Sequence, residues 1–410
     1  MVLRRTVLQN LFLFVVTLCV SINASNSNLL IQFSSINFII FFFLCLKNKK
    51  ILEAIKENYI NNKFFFIIFF VYVGYLIFQI IPLPLHWFEV IAPANHALYS
   101  SVTIDKVYWS LSLDPSSSYF RILNCINFFI IFLIFPALFF RSKHLMKVLF
   151  FFCLLGFCHA IFATYWMLIG NPSNFLIQKS HYLHASTGLF VNRAVFATFL
   201  LLCAFSGLYY MVVFFQKNKI TSFGLFEQIN TKIIYVRIFI IFLTIGILTT
   251  WSRIVNFSYV LVLISFLIYS KISFKKYINP LSTIILFILL FDILILGLVF
   301  GNAKLVERYA ETSLISETGR IGLHKFSFNQ FKEFWLFGYG TGAYGLVFKL
   351  FYSIPPNGGI AAHAHNDGVE LIGEVGMIGI LILLFLSLIY FKKLLNKNQI
   401  FSFIKVNVLR

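Results

Sequence analysis

The chain has 410 residues, of which 60% are hydrophobic and only 11% charged, with 54 Phe and a mean hydropathy of +0.88. That composition excludes a water-soluble globular domain and a disordered chain, and points to an integral membrane protein. The formal net charge of +19 collects in segments between apolar runs, where it reads as a topology signal; nucleic-acid binding is not needed to explain it, and no nucleic-acid partner is expected.

A bilayer core about 30 Å thick needs roughly 20 apolar residues per helix. About ten such runs occur, near residues 8–24, 29–46, 64–81, 120–140, 148–169, 194–215, 236–251, 255–270, 280–300 and 376–391. The expected fold is all-α: a polytopic integral membrane protein with about ten transmembrane helices, forming one membrane domain over residues 1–410. The first run follows Arg4 and Arg5 with no small-residue cleavage site, so it is read as a retained helix and not a signal peptide. With the N-terminus in the cytoplasm, that side of the membrane holds 22 of the 33 Lys and Arg residues, as the positive-inside rule requires. All six cysteines fall inside the runs, so no disulfide framework is expected. No Cys/His metal spacing occurs, and neither a metal nor a cofactor is expected.

Three outer loops are long. The first, residues 81–120, opens with IPLPLHWFEV and closes with LSLDPSSSYF; its prolines and aromatics suggest a segment lying at headgroup level. The second, residues 171–193, ends in STGLFVNR and places Arg193 at the head of the sixth run. Between the seventh and eighth runs, TTWSRIVN leaves almost no loop, which holds Arg253 at the membrane boundary. An arginine at the end of a span is usually an interfacial anchor, a reading that covers Arg121, Arg193 and Arg253. Fixed guanidinium groups also match a diphosphate. The ninth run carries Asp292, a lone acid and thin support for ion-coupled transport.

The third loop, residues 301–376, is large enough for a small helical subdomain carrying the catalytic segment. Residues 318–336 read as an amphipathic helix with Ile321, Leu323, Phe328, Phe331 and Trp335 on its apolar face. Thr318 would start it, Arg320 would lie in its first turn, and the glycines of FGYGTGAYG would stop it. As a nucleotide fingerprint those glycines are weak, because no strand precedes them.

The densest polar segment is AAHAHNDGVELIGE, residues 361–374. A helix is expected to start near Asn366 or Asp367, either of which caps well. That places His365 at the mouth of a helix running through Glu370 and Glu374 into the tenth span. A neutral imidazole there suits proton abstraction from a hydroxyl near neutral pH. The competing reading makes His363 and His365 interfacial residues satisfying local hydrogen bonds. The carboxylates of Asp367, Glu370 and Glu374, and of Glu307 and Glu311, are read as solvated helix faces.

Taken in order, these motifs resemble the O-antigen ligase/polymerase family of bacterial envelope glycosyltransferases. They are IPLP and SLDP in the first loop, GLFVNR, TWSR, GR followed by WLFGYGTGAYG, and HAHNDGVELIGEVGMIG, and together they cover residues 81–379. The resemblance implies a multi-pass enzyme of the bacterial inner membrane with its active site on the periplasmic side. It would move a glycan from an undecaprenyl-diphosphate carrier to an acceptor hydroxyl without a metal. Ligation to a lipid A core sugar is favoured, extension of a lipid-linked glycan is the alternative, and a lipid-linked glycan transporter is the reading from another class. His365 corresponds to the general base or substrate-orienting group. Arg253 and Arg320 correspond to diphosphate ligands, Arg193 is a weaker candidate of that kind, and His363 and Asn366 are neighbouring substrate contacts. Two departures stand out: Ala194 replaces a second asparagine, and relatives carry about twelve spans against the ten counted here. The missing pair points to a short subfamily or to incomplete activity.

Overall fold

A computed structural model of the chain describes residues 3–22, 27–101, 107–139, 142–172, 182–218, 231–273, 288, 315–352 and 361–395. Among the described residues the chain begins with α1 (Arg5–Ser21), α2 (Asn28–Leu46), α3 (Lys49–Asn61) and α4 (Lys63–Ile80). The first outer loop contains β1 (Leu83–Pro84), α5 (Leu85–Ile91), α6 (Pro93–Ser100) and β2 (Tyr108–Trp109). Then come α7 (Pro115–Phe139), α8 (Ser142–Leu168), α9 (Arg193–Asn218), α10 (Thr231–Thr249) and α11 (Arg253–Ser273). The last described helices are α12 (Ile315–Glu333), α13 (Tyr344–Phe351) and α14 (Asp367–Leu395).

By length and composition α2, α4, α7, α8, α9, α10 and α14 are able to cross a membrane, and α1 and α11 are shorter apolar helices. They answer the expected runs one for one, except that the run at 280–300, with Asp292, lies outside the described residues apart from Ile288. Glu307 and Glu311 lie outside them too. Large apolar side chains remain exposed along these helices, including Leu29 at 77%, Ile254 at 73% and Leu388 at 65%. Lipid tolerates such surface and water does not. The protein is thus an all-α polytopic membrane protein.

The chain divides into two compact units, principally Ile31–Ala137 with Thr312–Ile400, and Leu3–Leu30 with Leu138–Glu311. In the second unit α8, α9 and α10 pack around Cys153, Ala160, Ala197, Leu200, Leu243 and Ile247. Small residues bring these backbones together: a Cβ at Gly246 would lie 2.9 Å from the side chains of Ala160 and Leu200. The hydroxyls of Thr244 and Tyr259, 2.7 Å apart, join α10 to α11.

In the first unit α4, α7 and α14 share a core of Tyr72, Leu76, Ile122 and Val375. The first outer loop is folded: β1 pairs antiparallel with β2, and Phe88, Tyr99 and Leu111 close beneath α5 and α6. Asp114 of the SLDP motif accepts the Ser117 N–H at 3.1 Å and the Ser117 hydroxyl at 2.7 Å. Pro115 follows as the first residue of α7, where its missing N–H would have no helical partner anyway.

The helical subdomain of the third loop has α12 and α13 folded over Leu323, Phe326, Phe334, Tyr344, Val347 and Phe348. Its details differ from the sequence expectation. α12 starts at Ile315, so Arg320 lies in its second turn. The buried face of α12 and the turn after it runs through Leu323, Phe326, Ser327, Gln330 and Phe334, whereas Phe328 and Trp335 are 56% and 53% exposed. α13 sets the phase of the buried stripe, and an apolar residue in a membrane protein need not point inward.

Candidate active site

Helix α14 is broken at Gly376, which adopts φ 61° and ψ −172°. In an unbroken helix the N–H groups of Met377 and Ile378 would reach the carbonyls of Gly373 and Glu374. Instead they donate to the carbonyls of Trp335 and Leu336, at 2.8 and 3.2 Å. The freed carbonyls of Gly373 and Glu374 accept the N–H groups of Tyr339 and Gly340, each at 3.1 Å. The WLFGYG segment therefore replaces, bond for bond, what the helix gives up, as a break near a membrane boundary requires. Contact is so close that a Cβ at Gly338 would strike the Glu374 carbonyl, and one at Gly376 would strike the Gly338 nitrogen; only glycine fits both positions.

Two further segments lock this junction. Gln79, fully buried near the end of α4, donates from Nε2 to the carbonyls of Phe337 at 2.7 Å and Glu374 at 3.1 Å. The Tyr75 hydroxyl lies 2.7 Å from the carbonyls of both Phe337 and Val375. From the first loop, the Ser112 N–H donates to the Gln79 carbonyl at 2.7 Å and the Leu113 N–H to the Tyr339 carbonyl at 3.0 Å. The Ser118 hydroxyl donates to the Thr341 carbonyl at 2.7 Å. The buried Glu374 carboxylate accepts the Gly342 N–H at 2.8 Å. SLDP, FGYGTG and GEVG thus form one structural element.

On this platform stands the HAHND segment. Asn366 caps α14 as expected: its Oδ1 accepts the N–H groups of Gly368 and Val369 at 3.2 and 3.3 Å, and its carbonyl accepts that of Glu370 at 3.0 Å. Glu370 reaches back over the turn. Its Oε2 accepts the N–H of fully buried Ala364 at 2.8 Å, and its Oε1 lies 2.9 Å from His363 Nδ1. Because an ionised carboxylate only accepts, Nδ1 of His363 carries the proton. The bond to Glu370 raises the His363 pKa above its ordinary value, against the opposing effect of burial. Held between Ala364 and Asn366, His365 is exposed and adopts φ 56°. For a non-glycine residue that conformation costs about 1–2 kcal/mol; histidine is among the types that tolerate it, and such outliers cluster at functional sites.

By its place at the end of a span, Arg121 reads as an interfacial anchor. It sits about two helical turns beyond the SLDP cap, three residues after Ser118 and on the same side of α7. Its stem crosses the glycine turn, where a Cβ at Gly342 would lie 3.2 Å from Arg121 Cγ. The exposed guanidinium acts electrostatically on His363, Glu370 and Glu374. Spacing from SLDP was the available signal. Gln79, Tyr75, Ser112 and Ser118 carried no signal, because their partners are backbone groups distant in sequence. Tyr339 Oη is buried beside Gly373, with no hydrogen-bond partner among the described residues.

The remaining expected residues are placed as follows. Arg320 lies in α12, with its side chain outside the described residues. Arg253 is the first residue of α11, with three residues between it and the end of α10, and is half-buried. Arg193 opens α9 with its guanidinium 4.8 Å from the centre of the Tyr182 ring, a cation–π contact. Both belong to the second unit, at the end where the Ser186 N–H meets the Thr249 carbonyl at 3.0 Å.

Residues 238–384 match the family model described as O-antigen ligase. No curated protein and no solved structure matches the chain. The matched span includes Arg253, Arg320, the glycine turn and HAHND, and ends beyond the Gly376 break. Over residues 238–384 the chain is thus similar to the O-antigen ligase family, whose model supports a role in polysaccharide assembly.

Proposed function

We propose that the protein transfers a glycan from an undecaprenyl-diphosphate carrier to a hydroxyl of the lipid A core, with His365 as the general base. The observation that carries this reading is the exposed His365, held in a strained backbone conformation at the head of a membrane helix by the Glu370 clamp. In the step, His365 takes the proton of the acceptor hydroxyl while that oxygen bonds to the anomeric carbon. The bond from the anomeric carbon to the diphosphate breaks, and the lipid diphosphate leaves with the electron pair. Charge grows on the leaving group, so fixed cations stabilise the transition state. Arg320, Arg253 and Arg193 take that role on the family resemblance, and Arg121 joins them on its exposure and charge. His363 and Asn366 shape the acceptor side of the segment, His363 through its free Nε2 edge.

The proposed setting is the bacterial inner membrane, with the N-terminus cytoplasmic and HAHND on the periplasmic side. It is supported by the bias of Lys and Arg toward the segments expected in the cytoplasm.

The test is transfer by purified protein in nanodiscs with EDTA present, undecaprenyl-diphosphate glycan as donor and lipid A core as acceptor. Glycan on the core, lost in His365→Ala, is the expected result. Longer lipid-linked chains without core modification would make the protein a polymerase. No transfer of either kind by well-folded protein would end the glycosyltransferase reading.

A further inference from the structure

Helices α4 and α14 run together from the active-site end, where Gln79 meets Glu374, to the opposite end of the unit. There Lys393 Nζ donates to the Asn61 carbonyl at 2.9 Å and to Asn62 Oδ1 at 2.6 Å. Sixteen residues of α4 separate the two ends, about 24 Å at 1.5 Å per residue, so this region is remote from the chemistry. It holds a cavity of ≈ 400 Å³ lined by Asn62, Lys63, Phe65, Phe132, Tyr390 and Lys393, among others.

The floor is aromatic: Phe65 stacks on Phe132 with ring centres 4.9 Å apart, and Tyr390 lies 6.4 Å from Phe65. The rim is cationic. Lys393 uses two of its three ammonium protons on Asn61 and Asn62 and keeps one. Asn62, engaged in this way, does not cap α4, whose first residue is the exposed Lys63. Alongside, α3 is a surface helix that buries Ile51 and Ile55 and exposes Lys49, Lys50 and Lys56. With Lys47, Lys63, Lys392 and Lys393 this end carries seven lysines against Glu53 and Glu57.

An apolar floor below a cationic rim, at the end of two membrane helices, fits a ligand with a phosphate at headgroup level and hydrocarbon beneath it. We propose that the cavity seats an anionic phospholipid of the surrounding leaflet, its phosphate between Lys63 and Lys393 and its upper hydrocarbon against Phe65, Phe132 and Tyr390. A zwitterionic lipid brings a cation of its own into the lysine field and is disfavoured. The site stands whether or not the proposed reaction is correct.

The test is native mass spectrometry of the purified full chain with phosphatidylglycerol and phosphatidylcholine added in equal amounts. Wild type is expected to retain phosphatidylglycerol preferentially. Lys63→Ala, which leaves the Lys393 ties intact, should cut that preference about fivefold, and Lys63→Ala/Lys393→Ala roughly twenty- to thirtyfold. Lys49→Ala/Lys50→Ala on α3 should leave it within about twofold of wild type. Equal retention of the two lipids by wild type would overturn the proposal. So would an unchanged preference in Lys63→Ala, or an equal loss in Lys49→Ala/Lys50→Ala, which would mean diffuse surface charge instead of a site.

Discussion

Replacing Glu370 with alanine removes two bonds at once: the one to His363 Nδ1 at 2.9 Å and the one from the Ala364 N–H at 2.8 Å. Ala364 is fully buried, so its orphaned N–H costs about 1–3 kcal/mol. The His363 side chain is 58% exposed, which limits its share to about 0.5–1 kcal/mol. Together the clamp contributes about 2–4 kcal/mol, enough to outweigh the cost of about 1–2 kcal/mol for holding His365 at positive φ. Without the clamp the segment relaxes and the productive geometry is depopulated. Glycan transfer should therefore fall roughly 30- to 900-fold in kcat. The protein should remain folded, because the cores around Val375 and Phe348 do not involve this side chain. Glu370→Gln retains an acceptor for the Ala364 N–H and should recover to within about tenfold of wild type. The assay is single-turnover transfer in nanodiscs, with thermal unfolding measured on the same samples. Turnover by folded Glu370→Ala within twofold of wild type, or a glutamine variant as impaired as the alanine one, would refute the clamp.

Three further outcomes are expected. Gly376→Ala combines positive φ with a collision against Gly338, and should destabilise by more than about 2 kcal/mol. Gly368→Ala, whose new Cβ would meet nothing closer than Asn366 Oδ1 at 3.5 Å, serves as the neutral comparison; matching melting temperatures for the two variants would contradict the bond-exchange account of the α14 break. The raised pKa of His363 means that its pair with Glu370 stabilises the fold in full below the ordinary histidine value of 6.5 and is lost as pH rises through the higher folded value. Wild type should accordingly lose up to about 1 kcal/mol more than His363→Gln as pH rises from about 6.5 to 9; parallel curves of melting temperature against pH would exclude that pairing. Arg121→Ala should lower transfer by about one to two powers of ten, with Arg121→Lys recovering part of it. Unchanged kinetics in Arg121→Ala would return that residue to the role of interfacial anchor.

Apolar run length by itself determined the helical membrane class and, among the described residues, seven of the expected spans with two shorter apolar helices, because lipid demands that a crossing segment satisfy its own backbone. Local rules were equally legible: Asn366 caps α14, and WSR makes the short link that leaves Arg253 at a helix start. HAHND stood out because dense polarity in so apolar a chain is costly. The phase of α12 did not follow from its apolar residues, since Phe328 and Trp335 face outward in a setting where exposure of aromatics is cheap. Nor could the break at Gly376 be read from GEVGMIG, whose three glycines all weaken a helix without marking which of them breaks it. The bonds surrendered at Gly376 are taken up by Trp335, Leu336, Tyr339 and Gly340, and their segment is held in turn by Gln79 at Phe337, Leu113 at Tyr339 and Ser118 at Thr341. Backbone hydrogen bonds carry no side-chain signature, so only the tertiary structure decided that these distant segments meet, and with them that the Arg121 charge acts on His363 and Glu370.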